Sequence, residues 1–130
     1  MEKIIELAHA LGEEIAKSAE IKAVAAAKDA YEADADLQAK LAEYAADRKL
    51  LSDEFNKDEQ DGGMIEDIKG RMDELSREIV KHPLYVAFAD AQKAMNDLMT
   101  AVNDEIKFCI TGERPSHCTH DCSTCGGCHG

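Results

Sequence analysis

A chain of 130 residues has room for one domain with a real core, but not for two. Aromatics at 5%, no Trp, and abundant Ala, Glu, Lys and Leu point to helices rather than sheet. The net charge of −12 leaves no basic footprint to neutralise phosphates, which argues against direct nucleic-acid binding. No run approaches the ~18 apolar residues of a membrane span.

The opening residues lack the basic region and cleavage site of a secretory signal. From Glu2, Ile4, Ala8, Leu11 and Ile15 recur at three- and four-residue steps, which predicts an amphipathic helix of about four turns. Gly12 inside it costs about 1 kcal/mol relative to Ala, which suits a close helix contact there. Ser18 offers an N-cap with Glu20 behind it, so a second helix could start there, with Ile21, Val24, Ala25 and Tyr31 inward.

Asp34 or Asp36 can cap a third helix. Leu37, Leu41, Tyr44, Arg48, Leu51 and Phe55 then fall on an a/d heptad broken only by Arg48. Asp61-Gly62-Gly63 reads as a stop, because glycine reaches the left-handed conformation that ends helices. Met64 opens a partner helix carrying Ile65, Ile68, Met72, Leu75 and Ile79 on the same spacing. Two such seams joined by a short turn predict an antiparallel helical hairpin. Its outer sides carry thirteen acids against four bases between positions 29 and 67. That surface reads first as a solvated face and second as an acidic docking face for a basic partner.

His82-Pro83 ends the hairpin, since proline disfavours helical geometry in the residue before it and suits the first turn of the next helix. The last helix should run from 83 to about 110. Leu84, Phe88, Ala91, Met95, Leu98, Val102 and Cys109 share one seam, and Gly112 stops it. The expected fold is all-α, an elongated antiparallel bundle of four or five helices with a central long hairpin. It spans residues 1–112, with a Cys-rich tail over 113–130. The apolar seams exceed what a thin bundle covers, so a homodimer or higher homo-oligomer is expected. No nucleophile–base pattern or phosphate loop is present, and His9 and His82 read as surface or capping groups. The sequence does not describe an enzyme.

All five cysteines lie between Cys109 and the end of the chain, together with His117, His120 and His129. Cys118, Cys122, Cys125 and Cys128 form a C-x3-C-x2-C-x2-C run on a segment with almost no apolar side chains. Without an export signal, such thiols point to a reducing cytoplasm and to metal binding rather than disulfides. Soft thiolates favour zinc, copper(I) or iron–sulfur clusters. The strict two-residue gaps resemble the C-x2-C-x2-C loop of bacterial ferredoxins, whose fourth ligand comes from elsewhere, here Cys118, Cys109 or a partner chain. A zinc site, with three thiolates and an imidazole or four thiolates, is the alternative. A metal-free redox-labile tail is a third reading. Cys109, at the end of a helix seam, reads first as a small hydrophobe. A thiol oxidoreductase built on Cys122 and Cys125 would need a βαβ fold that the sequence lacks.

Two stretches resemble a known family. Residues 11–18, Leu-Gly-Glu-Glu-Ile-Ala-Lys-Ser, followed by Ala25-Ala26-Ala27-Lys28, resemble the start of the YlbF/YmcA family of small helical regulators. His82-Pro83-Leu84-Tyr85, Ala91-Gln92, Val102-Asn103 and Ile106, closing on Ile110-Thr111-Gly112, are similar to its proline-initiated last helix. The resemblance covers nearly residues 1–112. It implies a self-associating helical adaptor rather than a catalyst. It also implies a Gram-positive complex with YaaT that influences RNase Y-dependent mRNA processing, competence, sporulation and biofilm formation. The complex is associated with iron–sulfur clusters bound through C-terminal cysteines. Carried over, Cys118, Cys122 and Cys125 match that spacing best and Cys128 supplies the fourth ligand of a 4Fe-4S cluster. Cys109, His117, His120 and His129 stay as further candidates.

Overall fold

The computed structural model describes residues 1–115, among which there are five α-helices and no strand. They are α1 (Glu2–Ala16), α2 (Ala19–Ala33), α3 (Ala35–Phe55), α4 (Gly62–Lys81) and α5 (Pro83–Thr111). No helix is long and apolar enough to cross a membrane. The chain divides into two compact units, Met1–Met95 and a second beginning at Asn96.

Helix boundaries in the first unit are set by capping side chains. Ser18 does break the first helical run: its Oγ accepts the Ile21 N–H at 3.3 Å and starts α2. Of the two candidate aspartates, Asp34 is the cap of α3, accepting the Leu37 N–H at 2.8 Å. Asp61 caps α4 through the Met64 N–H at 3.2 Å. The expectation that Gly62 and Gly63 form a left-handed stop is therefore corrected. Both lie in the first turn of α4, and among the described residues only Gly112 has a positive φ. The physical reason is the Asp61 cap, which satisfies a free N–H and so draws both glycines into the helix.

The α3–α4 hairpin is antiparallel, as expected. Leu37 near the start of α3 clusters with Leu75 and Ile79 near the end of α4, while Ile68 is buried further along. Tyr31, Leu41, Tyr44, Leu84 and Tyr85 pack against that cluster. The Tyr31 ring, on α2, lies 5.0 Å from Phe88 and 6.5 Å from Tyr85, which ties α2 to the start of α5.

The a/d heptad on α3 is correct at Leu37, Leu41, Tyr44 and Leu51, and shifted elsewhere. Arg48 is exposed and Phe55 is 46% exposed, whereas the preceding residues in each case, Asp47 and Glu54, are buried. Asp47 is drawn in by a donor from across the hairpin, and Glu54 by donors of the turn that follows α3. Arg71 of α4 makes two contacts to Asp47, with Nη2 at 2.9 Å from Oδ1 and Nε at 3.4 Å from Oδ2. Glu54 accepts from Lys57 Nζ at 2.7 Å and from the Asp61 N–H at 2.9 Å. A buried carboxylate with several donors is stable where an unpaired one is not.

In the second unit, Leu98, Val102 and Phe108 are half-buried. The Arg114 guanidinium stands 4.1 Å over the Phe108 ring and 3.1 Å from Glu105, folding the chain back just after α5. Gly112 adopts φ 72° and donates its N–H to the Phe108 carbonyl at 2.8 Å, which is the predicted helix stop. Cys109 is exposed, which corrects its placement on the packed seam. Phe108, covered by Arg114, takes the half-buried position in that turn instead.

Two measurements check this architecture. Leu37→Ala removes a fully buried side chain and should lower the unfolding free energy by about 2–5 kcal/mol in urea titrations followed by helical circular dichroism. The Lys57 ammonium, and next the Asp61 N–H, hold the Glu54 carboxyl below its ordinary 4.5. A carboxyl depressed in the folded state adds stability above its unfolded pKa and loses it as pH falls through the folded one. Glu54→Gln should therefore be less stable than the parent near neutrality. The two proteins should converge as pH drops below 4.5.

Candidate functional site

Of the predicted thiol and imidazole ligands, Cys118, Cys122, Cys125, Cys128, His117, His120 and His129 lie outside the described residues. Cys109 lies within them, as a free, exposed thiol one turn before Gly112 on the last part of α5. The donor chemistry of the run, four thiolates within eleven residues, fits a soft metal ion or an iron–sulfur cluster. The exit from α5 is held by the Gly112 turn, by the Thr111 hydroxyl, which accepts the Glu113 N–H at 3.2 Å, and by Arg114 on Phe108 and Glu105.

The fold also assembles a group of metal-type donors that no sequence spacing announces. Asp34, Asp36 and His82 bring one ligand atom each to within 4.8 Å of one another. His82 Nε2 lies 3.5 Å from Asp34 Oδ1 and 3.7 Å from Asp36 Oδ2. The other ring nitrogen decides what this group does. His82 Nδ1 accepts the Leu84 N–H at 3.2 Å, so it carries no proton and caps the first turn of α5. A neutral imidazole then has its proton on Nε2, which faces the two carboxylates and has no lone pair for a metal.

The carboxylates are also engaged. Asp34 Oδ1 accepts the Leu37 N–H, and Asp36 pairs with Lys40 at 3.0 Å. The hydrogen bond to Asp36 chiefly raises the Lys40 pKa, with a further contribution from Glu78. The cluster is a junction between two helix N-termini. Its residues stand far apart in sequence, and the only local signals were a capping aspartate and a His-Pro pair.

A shallow groove of about 220 Å³ runs between Leu41 and Tyr44 of α3, Ser76, Ile79 and Val80 of α4, and Tyr85 of α5. Its polar groups are hydroxyls, and its lining includes no carboxylate or imidazole to serve as acid or base. The chain, all-α among its described residues, matches one family description, control of competence regulator ComK, YlbF/YmcA, over residues 4–111. The chain belongs to the YlbF/YmcA family. No curated protein and no solved structure gives a significant match. The matched span ends at the last residue of α5, so the YlbF/YmcA region and the cysteine run are successive parts of the sequence.

The junction makes a direct prediction. Asp34→Ala removes the α3 cap and the carboxylate facing His82, and should cost about 1 kcal/mol or somewhat more in chemical denaturation. His82→Asn keeps a side-chain acceptor at the α5 N-cap and should be milder than His82→Ala.

Proposed function

We propose that this protein is a non-catalytic cytoplasmic adaptor, acting through protein contacts in a complex that modulates RNase Y-dependent mRNA processing and developmental programmes such as competence. Membership of a regulator family carries this reading. The hydroxyl-lined groove and the use of His82 as a cap are consistent with it. Its partners in this reading are a second copy of the chain, YaaT-like subunits of the complex and RNase Y itself. With a charge of −12 it approaches RNA through those partners rather than directly.

Cys118, Cys122, Cys125 and Cys128 would hold a 4Fe-4S cluster, with Cys109, His117, His120 and His129 as further donors. The cluster supplies one-electron redox chemistry and sensitivity to oxygen when bound. The chain's own contribution is to present thiolates directly after the helical domain, so that tail order and partner binding are coupled. The second reading is a zinc module with a structural or storage role, favoured by the three histidines interleaved with the thiols.

The test is the iron, zinc and acid-labile sulfide content of untagged protein purified without oxygen. Near-stoichiometric iron and sulfide with broad visible absorbance is the expected result, and zinc without sulfide would select the second reading. Replacing Cys122 and Cys125 together with Ser should abolish metal binding and leave the helical circular dichroism unchanged.

A further inference from the structure

The first helix is amphipathic, yet none of its residues is buried. Ile4 is 69% exposed, Leu7 63% and Leu11 39%, and with Ala8 and Ile15 they form one stripe along the helix. Gly12 lies beside that stripe. A methyl group placed on it would meet no atom of the described residues within 4 Å. The close contact for which a mid-helix glycine is suited is thus not made among the described residues. Glu2, Glu6, Glu13 and Lys17 occupy the opposite side, so the stripe is a defined face rather than scattered apolar residues.

We infer that α1 pairs antiparallel with α1 of a second copy, making a two-fold interface centred between Ala8 and Leu11. This rests on the homodimer proposed above and specifies its face. Three observations select that occupant. The exposed parts of Met1, Ile4, Ile5, Leu7 and Leu11 amount to on the order of 600–700 Å², close to the ~800 Å² per partner of a standard interface. A two-fold pair buries the same patch on both copies at once, so no second acceptor surface is required. The groove at Tyr44 and Val80 does not suffice as that acceptor. Its volume of about 220 Å³ takes one or two side chains, since ~150 Å³ holds a single benzene. The stripe from Ile4 to Ile15 runs for about 16 Å.

The spacing fixes direction. In an antiparallel pair, Ile4 meets the partner's Ile15 and Leu11 meets the partner's Ala8, so each large side chain at the centre faces a small one. A parallel pair would stack Ala8 on the partner's Ala8 and leave a gap. Gly12, next to Leu11, lets the two backbones approach. Opposed helix dipoles favour the same arrangement.

The experiment compares the full chain with Leu11→Asp by sedimentation under reducing conditions, and places a photoreactive benzoyl-phenylalanine at Leu7 in the otherwise unchanged protein. The parent should be a dimer. Leu11→Asp should weaken it by roughly 100-fold or more, since each dimer carries the change twice, with the helical signal kept. The crosslink should land around Gly12 of the second copy. A monomeric parent would overturn the homodimer and this interface together. A dimer that persists in Leu11→Asp, or a crosslink to α3 or α4, would leave the homodimer standing and remove α1 from its interface. A crosslink around Leu7 itself would make the pair parallel and refute the antiparallel assignment. The crosslink decides the matter even if Leu11→Asp fails to fold.

Discussion

Two carboxylates on α3, Asp47 and Glu54, fix the hairpin on which the rest of the first unit is assembled. Asp47 is held by Arg71 from across the hairpin, and Glu54 by Lys57 and the Asp61 N–H from the turn that closes it. Directional bonds of this kind specify register in a way that apolar contact does not, because sliding α4 by one turn would carry Arg71 away from the buried Asp47. With register fixed, Leu37 meets Leu75 and Ile79, and Tyr31 and Tyr85 find the cluster they pack on.

The helix termini form a second layer of constraint. Ser18, Asp34, Asp61 and His82 each occupy an N-cap and satisfy an N–H of the first turn. His82 differs from the others in using both ring nitrogens, one on its own helix and one toward the cap of α3. Two helix starts are thereby coupled through a single imidazole. The donor set resembles a metal site by composition and is a joint by tautomer.

Only Leu37, Ile68, Leu75 and Ile79 are buried apolar residues among those described. A core this small leaves many large apolar side chains of the described helices exposed. That fits a family whose described role is regulation.

The sequence by itself determined an all-α fold of four or five helices, most of their limits and the hairpin pairing, because these rest on local chemistry, while the break at Ser18 was settled by the structure. Apolar periodicity, a Ser or Asp before a helix, a His-Pro break and a Gly112 stop are all written within a few residues of where they act. It also made the YlbF/YmcA likeness legible from short motifs in the right order. What it could not decide were matters of partners distant in the chain. Phe55 fits the heptad and Arg48 interrupts it, and only Arg71 and the Asp61 N–H show why Asp47 and Glu54 are buried instead. Cys109 followed the seam by spacing, yet the half-buried position went to Phe108, because Arg114 folds back over that ring. The meeting of Asp34, Asp36 and His82 likewise has no local signal. Local propensity places helices, whereas the choice between adjacent residues on one helix face depends on donors and rings that only tertiary structure delivers.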